Sequence, residues 1–151
     1  MLRATRLRAL PLLAISALGL GSCKQFGFQD HSVPVQRDEV VATSGVRYED
    51  LYLGKGKPAG PGETLMLDYT VWLKDGTRVD STLDRGVPQP VKIGDAFIEG
   101  LNEGLASMRA DGRRRIEVPA KLAYGAKGVE GLIPPNSDLV FEVHVIEIRT
   151  H

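Results

Sequence analysis

Apolar and polar positions alternate most cleanly near the C-terminus, where Phe141, Val143 and Val145 interleave with Glu142 and His144. Period-two alternation sends one set into a core and the other to solvent, so residues 139–148 are expected to form a strand. Further β-type runs occupy residues 46–53, 64–73, 78–80, 91–93 and 113–118, separated by Gly, Pro, Asp and Asn. Lys74-Asp75-Gly76-Thr77 carries an Asp-Gly turn signal, so residues 64–80 read as a hairpin. One stretch has a different period. Phe97, Ile98, Leu101, Leu105 and Met108 fall along one face of a helix expected from about residue 97 to 106, with Asp95 placed to cap its first turn. That face should pack on the sheet. Gly100 and Gly104 each cost a helix about 1 kcal/mol relative to alanine, which points to a close approach of backbone to backbone there. Strands around one helix make an α+β pattern from Gly45 onward, with no internal repeat.

The first 22 residues follow neither period. Arg3, Arg6 and Arg8 are followed by a run, residues 9–20, that is apolar apart from Ser16 and apolar on all sides of a helix. The run is shorter than the about 20 residues a bilayer-spanning helix needs, and small residues follow it, as in a signal peptide. Cys23, the sole cysteine, comes directly after Leu20-Gly21-Ser22. This resembles the lipobox of bacterial lipoproteins, in which cleavage precedes the cysteine and lipid modifies it; plain secretion with an incidental cysteine is the alternative. Each buried methylene of such a lipid contributes about 0.8 kcal/mol, so several acyl chains hold a protein on a membrane. The expected organisation is therefore a signal peptide over 1–22, a lipidated cysteine and flexible tether over 23–43, and a folded domain over 44–151.

Composition narrows the chemistry. With 42% apolar and 25% charged residues in 151, the chain suits one globular domain, and 19 basic residues balance 19 acidic ones. Nucleic acid is not expected as a partner. Arg113-Arg114-Arg115 is the one basic cluster of the body and reads as a solvated strand face. His31, His144 and His151 are scattered, so neither a metal nor a cofactor is expected. There is no Gly-x-Ser-x-Gly elbow, and the glycines at 54–56 and 60–62 open no helix that could hold a phosphate. Asp80 and Asp84 could be imagined as an acid/base pair, but Arg85 beside them favours an ion pair. What is left is an apolar, aromatic pocket suited to binding or to a reaction that breaks no bond.

Residues 45–149 carry an ordered series of markers: Leu67-Asp68-Tyr69-Thr70, Asp75-Gly76-Thr77-Arg78-Val79-Asp80-Ser81-Thr82, Asp84-Arg85, Ile93-Gly94 and Phe97-Ile98-Glu99-Gly100-Leu101. Glu103-Gly104-Leu105, Pro119, Leu122-Ala123-Tyr124-Gly125, Leu132-Ile133-Pro134-Pro135-Asn136 and Leu139-Val140-Phe141-Glu142-Val143 follow. The set resembles the FKBP family of macrolide-binding peptidyl-prolyl cis-trans isomerases.

That resemblance implies a strongly curved antiparallel sheet of about five to six strands wrapped around one short helix, with a substrate cleft between them. By the same resemblance Asp80 and Tyr124 are the catalytic candidates. Tyr69, Val79, Arg85, Phe97, Ile98, Leu101, Ile133 and Phe141 are the substrate-binding candidates, Arg85 pairing with Asp80 and Leu101 forming the floor. Leu101 stands where many members have tryptophan, Val79 and Gln89 where strong drug binders have phenylalanine, and Val129 where some have histidine. Any macrolide binding is therefore expected to be weak. The substrates implied are proline-containing polypeptides, and the rival function is an FKBP-fold chaperone or binding module with little turnover. Lys24 after the modified cysteine resembles outer-membrane sorting, which suggests a lipid-anchored protein facing the periplasm. Without a long helical dimerisation segment in the tether, a monomer is expected.

Overall fold

The computed structural model describes residues 38–150. The segment assigned above to a signal peptide, Cys23 and most of the tether lies outside the described residues, as do His31 and His151.

The strands are β1 (Val40–Val41), β2 (Arg47–Tyr52), β3 (Thr64–Leu73), β4 (Arg78–Ser81), β5 (Gln89–Lys92), β6 (Arg113–Val118) and β7 (Leu139–Arg149). Two helices interrupt them, α1 (Thr82–Arg85) and α2 (Glu99–Leu105), and a 3₁₀ turn spans Ala120–Leu122. All pairings are antiparallel, in the order β1-β2-β6-β7-β3-β4, with β5 also on β3. The β3–β4 hairpin turns where the Asp-Gly signal lies. Leu73 N donates to Thr77 O at 2.8 Å, Thr77 N donates to Asp75 Oδ1 at 2.8 Å, and Gly76 takes the left-handed φ of 90°.

Alternation then builds the core. Leu65, Leu67, Tyr69 and Val71 of β3 share the inner face with Leu139, Phe141, Val143 and Val145 of β7 and with Ile116 and Val118 of β6. Register shifts bend the sheet at three places, between Asp50 and Tyr52, Met66 and Leu67, and Val71 and Trp72. The shift at Met66/Leu67 leaves Ile146 unpaired, and the alternation seen at Val143 and Val145 breaks there, with Ile146 exposed.

Helix α2 packs on β6, and its glycines explain how. A Cβ on Gly100 would lie 2.4 Å from Val118 Cγ1, and one on Gly104 2.5 Å from Ile116 Cγ2. The close approach is thus to β6 side chains, not to backbone as expected from sequence. The helix also begins later than the apolar period suggests, because Ile98 is extended at φ −129° and Phe97 precedes it in a loop. Asp95 does not cap it. The N-cap residue Ile98 makes no side-chain cap bond, and the contact runs the other way: Asn102 Oδ1 accepts from Gly94 N at 2.9 Å and Ala96 N at 3.0 Å. That pair holds the loop leading to Phe97.

Two further expectations change. Val40 and Val41, placed by sequence in the tether, pair with Tyr48 and Arg47 of β2. Arg114 is not on a solvated face: it is 3% exposed, because strand alternation sends it inward with Ile116 and Val118. Its guanidinium donates to Asp50 through Nε at 2.7 Å and Nη2 at 3.0 Å, and through Nη1 to the carbonyls of Gly104 at 2.8 Å and Ala106 at 2.9 Å. It lies over the Tyr48 ring at 4.3 Å. A cation satisfying the C-terminal carbonyls of α2 fixes that helix to β2 and β6.

Candidate active site

Strand β3 points Tyr69 inward, and a bulge in β4 brings Asp80 to the same face. Asp80 pairs with Val71 and Arg78 with Trp72, so Val79 is the extra residue between them. Without it, Arg78 and Asp80 would project to one side. With it, Asp80 becomes a diagonal neighbour of Tyr69, whose hydroxyl donates to Asp80 Oδ2 at 2.9 Å.

After Ser81 the partner strand leaves β3, and it rejoins where Gln89 pairs with Leu67. Residues 82–88 form an excursion opposite Asp68 and Tyr69, closed by Gly86 at φ 66°. Side-chain hydroxyls replace the missing ladder. Thr82 Oγ1 accepts from Tyr69 N at 2.9 Å and lies 3.0 Å from Asp68 Oδ1, and the Ser81 side chain caps α1 by accepting from Leu83 N at 3.3 Å. The excursion carries Arg85 back over the site. Its Nη1 donates to Asp80 Oδ1, its Nη2 donates to the Tyr69 hydroxyl at 3.1 Å, and its guanidinium carbon lies 5.8 Å from the Tyr69 ring centroid. Ser81 N adds a bond to Asp80 Oδ1 at 2.8 Å. Asp84, on the same turn, pairs instead with Arg78 at 3.0 Å in solvent, so the two aspartates form no acid/base pair.

These contacts set the charge state. The Arg85 guanidinium, with the Tyr69 hydroxyl and Ser81 N–H, holds Asp80 below the ordinary aspartate range, while burial pushes the Tyr69 hydroxyl up. Asp80 is therefore an oriented anion at neutral pH. Because its folded-state pKa is depressed, the stabilisation it brings is present above the unfolded value and is lost only as acid protonates it.

Apolar groups surround this network. The Tyr69 ring lies 5.8 Å from Phe97 and 6.2 Å from Phe141, both tilted. Ile98, Leu101, Ile133 and Phe141 are buried in the same core cluster as Tyr69, with Val79 packed against it. Phe97 is 49% exposed, with its ring beside Tyr69. Tyr124 follows the 3₁₀ turn and is 38% exposed; its hydroxyl bonds to no other described residue. Gln89 opens β5, and its side chain makes only a 3.5 Å contact with Pro90 O. Sequence reasoning named Ser81 and Thr82 only as family markers and gave no role to them or to Asn102, which shape the site without lining it. Among the described residues no group of three His, Cys, Asp or Glu side chains is placed to hold a metal.

Comparison with known proteins agrees with this architecture. A family model described as FKBP-type peptidyl-prolyl cis-trans isomerase matches residues 55–146. The chain is 40% identical over 105 residues to the "FK506-binding protein" of Neisseria meningitidis serogroup B, covering 69% of this chain and 96% of that one. It is 35% identical over 109 residues to the FKBP-type peptidyl-prolyl cis-trans isomerase FkpA of Escherichia coli K12, covering 72% of this chain and 40% of that one. Among solved structures, the crystal structure of Escherichia coli FkpA superposes with a TM-score of 0.68 at 34% identity, over 74% of this chain and 51% of that one. The crystal structure of AtFKBP13 gives 0.69 at 31% identity, over 74% of this chain and 99% of that one.

Proposed function

The chain belongs to the FKBP-type peptidyl-prolyl cis-trans isomerase family, and from that footing we propose that Asp80 and Tyr124 carry the isomerisation in a cleft at the site just described. Rotation about an X-Pro bond is opposed by amide resonance, with a barrier of ~18–20 kcal/mol for a peptide bond. A cleft walled by Tyr69, Phe97, Ile98, Leu101, Ile133 and Phe141 disfavours the charge-separated amide and holds the proline ring away from water. Tyr124 donates its hydroxyl to a substrate carbonyl. Asp80 presents a fixed negative charge to the twisting amide, oriented by Arg85 and Tyr69. Neither group transfers a proton or forms a covalent bond.

The observation that carries this reading is the Asp80–Arg85–Tyr69 network: an anion pre-aligned by three donors beside a half-exposed aromatic ring. It makes the chemistry insensitive to pH. Asp80 stays ionised and Tyr69 protonated from about pH 5 to 8, given their ordinary values of about 3.9 and 10. A kcat/KM profile for a proline peptide is therefore expected to be flat over that window. A profile that follows one group titrating within that window would place an acid or base in the reaction and contradict the assignment.

A binding role with little turnover draws its support from Leu101, Val79 and Gln89, which make the pocket less aromatic, and those residues also argue for weak macrolide affinity. The wider reading is an exported monomer that assists the folding of envelope proteins, held at the outer membrane by lipid on Cys23. It is supported by the order of charge, apolar run and small residues before that cysteine. In a bacterial host, the parent protein is expected in the membrane fraction with a mass increased by lipid, and Cys23→Ala is expected to be soluble. A parent that is soluble and unmodified would refute the anchor and leave the isomerase untouched.

A further inference from the structure

We propose that Asp138 is a positioning residue for catalysis: it clamps the loop that presents Tyr124, where that loop meets the turn of the β3–β4 hairpin. The inference rests on the assignment of Tyr124 made above. Asp138 immediately precedes β7, at the exit of the loop that follows β6. Its Oδ1 accepts from Ala120 N, at the loop entrance, at 2.8 Å, and its Oδ2 lies 2.9 Å from Lys74 Nζ.

Ala120 relays the constraint. Its carbonyl accepts from Ala123 N at 3.0 Å and Gly125 N at 2.8 Å, on either side of Tyr124, and Gly125 O accepts from Asn136 N at 2.7 Å. Tyr124 O accepts from Gly128 N at 3.1 Å. The backbone on both sides of Tyr124 is thus referred, through one amide, to one carboxylate. The Tyr124 hydroxyl has no partner of its own among the described residues, so the placement of its oxygen rests on where this backbone relay holds the residue. Gly125, Gly128 and Asn136 all adopt left-handed φ, at 55°, 60° and 56°, a path that an unclamped loop can leave.

Lys74 belongs to the turn between β3 and β4, and β4 carries Asp80. Asp138 therefore sits where the Tyr124 loop meets that turn. The Lys74 arm is solvent-exposed and contributes little; the bond from a backbone N–H to a carboxylate is the strong one, and the Lys74 ammonium and Ala120 N–H keep Asp138 ionised.

A double-mutant cycle on the full-length protein separates positioning from general loss of structure, with kcat/KM read on an X-Pro peptide well below each melting temperature. Asp138→Ala is expected to lower kcat/KM about tenfold in the parent and less than twofold in Tyr124→Phe, since misplacing an absent hydroxyl costs nothing. Asp138→Asn, whose side-chain oxygen still accepts from Ala120 N, is expected to restore at least half of the parent rate. Should Asp138→Ala not fold, Ala120→Pro serves in the same cycle. It removes the donor and sets the ring Cδ against Asp138 Oδ1, so the clamp is broken from the other side, at the first position of the 3₁₀ turn and after a residue at φ −62° and ψ 147° that tolerates a following proline. Equal losses in both backgrounds, or an Asp138→Asn as slow as Asp138→Ala, overturn the inference while Tyr124 keeps its role. A Tyr124→Phe as fast as the parent overturns both.

Discussion

Asp80→Ala is expected to lower kcat/KM for an X-Pro peptide by at least about tenfold, near 1.4 kcal/mol of transition-state stabilisation, while moving the melting temperature by no more than about 4 °C. The split follows from exposure. The Asp80 and Arg85 side chains are 37% and 44% exposed, and an ion pair so open to water contributes at most about 1 kcal/mol to folding. The same carboxylate carries the oriented charge on which the proposed mechanism depends, and its removal leaves Arg85 and the Tyr69 hydroxyl with only each other as partners. Asp80→Asn, which keeps an acceptor and loses the charge, is expected to be nearly as slow as alanine. A fast Asp80→Asn would mean that shape and hydrogen bonding, not charge, are what the site uses.

Arg114→Met is expected to reverse that split, destabilising the fold by about 3 kcal/mol and lowering the melting temperature by on the order of 10 °C. Removing the guanidinium leaves Asp50 of β2, which is 24% exposed, without its partner, and it strips the carbonyls of Gly104 and Ala106 of their donor. It also removes the stacking on Tyr48. Adding Asp50→Asn to Arg114→Met is expected to recover part of the loss, because the uncompensated charge is gone while the two carbonyls are still short of a donor. A melting temperature within a degree or two of the parent's would show that α2 is held to β6 by Gly100, Gly104 and their apolar neighbours alone. Chemical or thermal denaturation followed by circular dichroism reads this directly.

The contrast between these two residues shows which parts of the fold were legible in the sequence. Strands β3, β6 and β7 were, because each is buried on one face and alternation over six or more residues leaves one register. The β3–β4 turn was legible because Asp-Gly supplies the positive φ locally. Arg114 was misread by its neighbours: three adjacent arginines look like solvated charge, yet the phase of Ile116 and Val118 already places residue 114 inward. The one-turn helix α1 was missed because four residues are too few to show a period of 3.6, although Ser81 before it and Gly86 after it are ordinary cap residues.

Other contacts lie beyond local pattern. Asp95 is well placed for a cap by sequence, but the extended Ile98 sets the helix start, and Asn102 instead holds the backbone ahead of it. The half-exposure of Phe97 follows from the same shift, since a ring in the loop does not share the buried face of Leu101 and Leu105. In the site, the Asp80–Arg85 pair was expected from the family resemblance and the Tyr69–Phe97 and Tyr69–Phe141 contacts join the named aromatics. Thr82, which replaces a strand partner for Tyr69, and Asp138, eighteen residues from the amide it holds, depend on chain paths that only tertiary structure sets.

The most direct test of the central claim is a proline-isomerisation assay on the chain beginning at Lys24, which retains β1, using a panel of X-Pro peptides and a protein whose refolding is limited by proline isomerisation. The expected result is relaxation faster than the uncatalysed tens to hundreds of seconds, proportional to enzyme concentration and slowed in both Asp80→Ala and Tyr124→Phe. A folded protein that leaves the relaxation at its uncatalysed rate on every substrate would contradict the account and leave a cleft that binds proline segments without turning them over.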